Sequence, residues 1–159
     1  MSTVAIKKTL VEGNWNTKKN QEEAAHAFAI NCMSAMAVIA KQGDKAVLEY
    51  QDILHKHQLE HLKTLGVKTP LDLVKAKAEF ETNVFGSKIE IEGDENRAQL
   101  IYKQCAIGNA MKKYGKTTPE REGKMEQYMQ TCVQNFAKEW GFKGDLKMEG
   151  ETCTVTFSK

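Results

Sequence analysis

The stretch Lys88-Ile-Glu-Ile-Glu-Gly-Asp-Glu-Asn-Arg-Ala-Gln-Leu-Ile-Tyr-Lys103 decides the fold. Before it the apolar residues recur at helical spacing. Here the period drops to two: Lys88–Glu92 alternates strictly, as a strand with one face in water does. Gly93-Asp-Glu-Asn96 carries turn chemistry, and Ala98–Lys103 reads as the returning strand of a hairpin. A second hairpin closes the chain, with Asp145–Glu149 and Thr152–Ser158 flanking Gly150. Along its last strand Cys153, Val155 and Phe157 alternate with Thr152, Thr154 and Thr156. The cysteine is therefore expected on the core face and the threonines on the other.

Helices fill the remainder. Asn16 or Thr17 can cap a first helix that runs to about Lys41 and stops before Gly43. It is uncharged from Ala24 to Ala40 and rich in small residues. Its composition reads as a tightly packed core helix, or as a wall kept small beside a ligand. A second helix spans about Asp44–Leu65, and a third starts at Thr69-Pro70 and ends near Gly86. A short helix, Cys105–Tyr114, follows the first hairpin, and Thr118-Pro119 opens a long one that ends at Gly141. The reading is one α+β domain: N-terminal helices packed on a small antiparallel sheet of two hairpins, with helices between them. Residues 1–15 read as a strand or an arm.

Composition bounds the function. With 159 residues, 41% apolar and 28% charged, the chain suits a soluble globular domain. A net charge of +2 with interspersed signs, and no basic stripe interleaved with aromatics, argues against nucleic acid as a partner. No secretory leader is legible, and the uncharged run Ala24–Ala40 is short for a bilayer span and dominated by alanine. Neither a membrane partner nor export is expected. The four cysteines show neither close pairing nor a CxxC, so reduced thiols in a cytoplasmic protein are the natural reading.

Three of those thiols carry the best functional lead. Cys105 opens a helix after a strand, where free N–H groups and the helix dipole favour a thiolate. Cys132 lies on a helical stripe with Met125, Tyr128, Met129, Phe136 and Trp140, which is a core pattern taken alone. Cys153 points inward from the last strand. The three elements neighbour one another around one sheet, so the sulfurs are expected to line a shared cavity. A rival signal is His57-Gln-Leu-Glu-His61, an H-x-x-E-H motif whose imidazoles stand one turn apart and can chelate a metal, with Glu60 as base. The chain is short for such a peptidase and offers no third ligand. His26 and Cys32 read as packing residues, and no phosphate loop or nucleophile elbow occurs.

The order of the C-terminal half carries a resemblance. A strand leads to Cys105, a helix ending in Gly115 follows, Cys132 sits in the next helix, and the chain closes on Gly150-Glu-Thr-Cys153-Thr-Val-Thr-Phe157. Over about residues 85–159 this resembles the L-2-amino-thiazoline-4-carboxylic acid hydrolase family. The last strand is also similar to that of vinyl-reductase-type small-molecule-binding domains. The sequence has Glu151 where the hydrolase pattern has aspartate, and Gln134-Asn135 where an acid follows the second cysteine. The resemblance implies a hydrolase acting on a ring C=N bond. Cys105 would be its nucleophile, Cys132 and Cys153 would line the pocket, and Glu151 would orient water or take a proton. No cofactor is firmly implied, although the thiols can instead hold zinc to activate water. The alternative is a non-enzymatic binding or sensing domain for a small apolar or tetrapyrrole-like ligand, which suits the Ala-rich helix and the Met125/Met129 stripe.

Overall fold

The computed structural model describes residues 13–114, 119–150 and 152–159. The element order is α1 (Thr17–Ile39, continued by a 3-10 turn over Ala40–Gln42), α2 (Asp44–Thr64), α3 (Pro70–Phe85), β1 (Lys88–Gly93), β2 (Arg97–Gln104), α4 (Ala106–Tyr114), α5 (Pro119–Glu139), β3 (Lys143–Glu149) and β4 (Thr152–Ser158). The α+β reading holds, and its element boundaries lie within a few residues of those observed. The segment 1–12, Gly115, Thr118 and Glu151 lie outside the described residues.

Local chemistry explains the boundaries. Asn16 caps α1, its Oδ1 accepting from the Lys19 amide at 2.9 Å. Thr69 and Asp72 form a reciprocal capping box ahead of Pro70 at the start of α3. Gly86 then ends that helix in the left-handed region at φ 74°.

The four strands form one antiparallel sheet in the order β1-β2-β4-β3. The two hairpins are thus joined by β2 against β4, with Ala98 opposite Phe157, Leu100 opposite Val155 and Tyr102 opposite Cys153. Those residues share the covered face, and Ala98, Leu100 and Phe157 are almost wholly buried. The helices α3 and α5 lie on this face, with Leu73, Val74, Phe136 and Ala137 completing the core. Thr154 and Thr156 occupy the opposite face, as the alternation predicts. A second, smaller cluster of Ala25, Ala29, Phe85 and Ala110 holds α1 to α4 and to the end of α3.

Two expectations about the helices need correction. Only Ala25 and Ala29 of α1 are buried, and Phe28, Ile30 and Val38 are exposed. A run without charges does not say which side of a helix is covered, and here the small residues on one side make the contact. Thr17–Gln42 is long and apolar enough, by length and composition, to cross a membrane. On α5 the stripe is core only toward its C-terminal end. Met125 and Met129 are exposed, while Phe136 and Ala137 are buried.

The edge strand β3 is drawn against α5. Gln130 Oε1 accepts from the Leu146 amide at 2.8 Å, which occupies an N–H that an edge strand leaves open, and its Nε2 donates to the Asp145 carboxylate at 3.1 Å. At Gly144 a Cβ would stand 2.6 Å from the Val133 carbonyl oxygen and 2.8 Å from the Ala137 Cβ. Gly144→Ala should therefore force the helix off the sheet and destabilise the fold by about 1–3 kcal/mol. Urea denaturation measures this directly. An unchanged midpoint would mean that the close approach is not needed.

Candidate functional site

The structure divides the three thiols between two neighbourhoods. Cys105 caps α4: its carbonyl accepts from the Asn109 amide at 3.0 Å, and its Sγ accepts from the Gly108 amide at 3.3 Å. Ser87 Oγ takes the Ala106 amide of the same helix end at 3.1 Å. The helix terminus does favour the sulfur anion, as its position in the sequence predicts. Burial outweighs it and pushes the Cys105 thiol above its ordinary range, the Gly108 and Ile107 amides pulling back and nearby Glu81 adding to the rise. The expectation of a lowered value fails because the sulfur is mostly removed from water.

Cys153 belongs to the same neighbourhood. It stands opposite Tyr102 on one side and Met148 on the other. Burial raises its thiol to about 11, with the charges of Cys105 and Glu81 contributing. The Tyr102 hydroxyl donates to Glu81 Oε1 at 2.6 Å. Burial, and then that carboxylate, hold the phenol protonated far above its usual range. This corner of the sheet thus keeps its protons.

Cys132 lies elsewhere. Its Sγ is 3.1 Å from Nε2 of His55, which projects from α2 and is 2% exposed. The His55 ring packs on Phe136 with centroids 5.3 Å apart. Lys77 of α3 places its ammonium 5.3 Å from the centroid of the same Phe136 ring. Three helices therefore converge on one thiol–imidazole pair. Burial lowers the His55 pKa, Lys77 lowers it further, and Glu139 and Asp52 oppose the shift. Burial raises the Cys132 thiol and Lys77 draws it back. The resting pair is a neutral thiol and a neutral imidazole. One turn before His55, on the same buried face, Gln51 is 7% exposed, and its Oε1 is buried with no hydrogen-bond partner among the described residues.

The sequence reading missed His55, Gln51 and Lys77. The buried stripe Val47, Gln51, His55 of α2 was available as a signal at spacing four, but the H-x-x-E-H match drew attention to the wrong face. His57 and Glu60 are 76% and 79% exposed, with 4.0 Å between Nδ1 and Oε2, and Ile53 and Leu54 beside them also face water. Among the described residues no group of three or more His, Cys, Asp or Glu side chains is arranged to hold a metal ion. Two open clefts indent the surface, one of about 510 Å³ beside Val67, Lys75 and Phe80 and one of about 380 Å³ at the β1–β2 turn. No cysteine lines either of them.

No protein-family model matches the chain, and no curated protein matches it in sequence. Among solved structures it is similar to a mutant of the Fe(II) unliganded H-NOX protein from K. algicida, at 11% identity and a TM-score of 0.39. The match covers 73% of this chain and 62% of that one, so the chain spans less than two thirds of that protein's length. A likeness this slight bears on neither the fold nor the function.

Folding buries His55 as a neutral ring, so the unfolded chain binds its proton more readily than the native one. The stability this contributes is full above the unfolded histidine pKa of about 6.5 and is lost as pH falls below it toward the lowered native value. Urea midpoints should therefore drop on acidification below about pH 6.5. His55→Gln should flatten that part of the profile. An equal slope in both proteins would assign the effect to other groups.

Proposed function

We propose that the protein is a small-molecule hydrolase of the aminothiazoline-carboxylate type, with its chemistry on Cys132 and His55 rather than on Cys105. The observation that carries this reading is the 3.1 Å contact between the Cys132 sulfur and the His55 ring nitrogen. It lies within the reach that a general base needs to take a proton from a nucleophile. In the tautomer with its proton on Nδ1, His55 accepts the thiol proton at Nε2 as sulfur attacks the ring carbon. A C–S bond forms, the C=N pair moves to nitrogen, and the proton is passed on to that nitrogen. The ring C–S bond then breaks as the C=N bond re-forms, and the ring sulfur leaves as a free thiol with the proton given up by nitrogen. Water adds to the same carbon, the bond from that carbon to Cys132 breaks, and the Cys132 sulfur regains its proton, leaving a carbamoyl product. Lys77 is the nearby cation suited to a substrate carboxylate, and the unpartnered Gln51 oxygen is an acceptor suited to an amino group. The setting proposed is cytoplasmic, where the four free thiols stay reduced.

A second reading, a domain that binds or senses a small molecule without turnover, is favoured by a different observation. Burial raises the thiols of Cys105, Cys132 and Cys153 alike, so none rests as a ready nucleophile.

Incubation with 2-amino-2-thiazoline-4-carboxylate, followed by release of free thiol product, tests the first reading. Cys132→Ala should abolish turnover and His55→Gln should slow it by about 100-fold or more, while Cys105→Ala retains it. Binding of the compound with no turnover by the unaltered protein would select the second reading. Activity lost in Cys105→Ala but kept in Cys132→Ala would return the nucleophile to the strand–helix junction.

A further inference from the structure

Sequence and burial disagree at α1, which takes no part in the proposed reaction. From Ala24 to Ala40 it carries no Asp, Glu, Lys or Arg. A helix without a charged face is ordinarily surrounded, by the rest of a protein or by lipid. Here only 11% of its 18 most apolar consecutive residues are buried. Ala25 and Ala29 make the contact with the fold, while Phe28, Ile30 and Val38 are 44%, 45% and 59% exposed. The exposed surface continues onto α3: the Phe28 ring lies 5.3 Å from that of Phe85, which lies 5.6 Å from that of Phe80, itself 55% exposed. The surrounding charges decide what this surface meets. At the amino end Lys19 is paired with Glu23, and Lys18 stands one turn before Glu22. At the carboxyl end neither Lys41 nor Lys45 forms an ion pair among the described residues, and the acid between them, Asp44, accepts from the Tyr128 hydroxyl at 2.8 Å. The first end is balanced in charge and the second carries an excess of cations.

We propose that α1, with Phe28 and Phe80 at its side, is a docking surface for an anionic lipid bilayer. The helix lies along the membrane rather than across it. Its uncharged run, Ala24–Ala40, is about 26 Å long, short of the hydrocarbon thickness of about 30 Å, and it exposes Asn31 and Ser34. The headgroup region accommodates those two polar side chains while Ile30 and Val38 enter the acyl boundary. Lys41 and Lys45 sit on anionic headgroups, and Trp15, 57% exposed ahead of the helix, is the residue type that anchors at the bilayer interface. This reverses the expectation that the chain has no membrane partner. That expectation rested on the length and alanine content of the run, and burial, which separates a core helix from a lipid-facing one, is not legible in either. The proposal does not depend on the chemistry of the His55–Cys132 pair.

Flotation with vesicles of equal parts phosphatidylcholine and phosphatidylglycerol measures the affinity. The protein should float with them, and its tryptophan emission should move to shorter wavelength, a shift that Trp15→Phe removes. Replacing both Lys41 and Lys45 by Gln should weaken binding by about 25-fold, each lysine at an anionic surface being worth about fivefold. Ile30→Asp and Val38→Asp should each weaken it by about tenfold or more. Met125→Asp, at an equally exposed position on α5, should leave it unchanged. All of these side chains except the Met125 control lie on the proposed surface and none is buried, so circular dichroism should show each variant folded. Equal binding to vesicles of phosphatidylcholine alone, or binding to neither kind, would overturn the proposal. So would a concentration-dependent dimer that Val38→Asp disperses in a protein that does not float, because the face would then belong to a second copy of the chain.

Discussion

The pairing of β2 with β4 is the contact on which the rest of the structure depends. Each hairpin is local and buries little by itself, and a lone two-stranded ribbon is marginal in water. Joined through β2 and β4, they present one continuous apolar face, with Leu100 against Val155 and Ala98 against Phe157. Each large aliphatic or aromatic side chain fully removed from water there contributes about 1.5–3 kcal/mol. That face supports α3 and α5, and through them it supports α1 on α3 and α2 on α5. The same pairing sets Cys153 beside Tyr102, whereas the thiol on α5 is carried away to meet α2.

Most of the architecture was legible because its signals are local. The switch from helical spacing to strict alternation at Lys88, the Gly93–Asn96 turn and the Thr69-Pro70 cap each act within a few residues. The alternation of Cys153, Val155 and Phe157 with the threonines gave the strand its facing for the same reason. The order of the strands was not legible. Neither β2 nor β4 carries a mark that says it pairs with the other hairpin; only the shared burial of both selects the arrangement.

The misreadings have a common cause. Hydrophobic pattern reports what a segment can bury, not what lies against it. The first helix could bury a full stripe, yet its contacts are made by Ala25 and Ala29 and its larger apolar residues stay in water. Met125 and Met129 share the stripe of Cys132, but only the C-terminal part of that helix covers the sheet. His55 shows the converse. It lacks a motif, and the two histidines that possess one are on the wet side of the same helix. Its importance comes from a partner on a helix distant in sequence, and spacing within one helix cannot express that.

Electrostatics at the junction link binding to chemistry in the proposed reaction. Burial holds His55 deprotonated and Lys77 adds to that effect, while the same lysine eases the anionic form of Cys132. Burial acts on the thiol in the opposite direction and keeps the proton on sulfur at rest. A carboxylate seated on Lys77 screens that cation. The imidazole then becomes a stronger base, while the Cys132 anion loses the same cation's support, so an anion on Lys77 moves the two partners in opposite senses. The neutral resting state follows first from burial of both groups, and Lys77 adjusts each of them toward its deprotonated form.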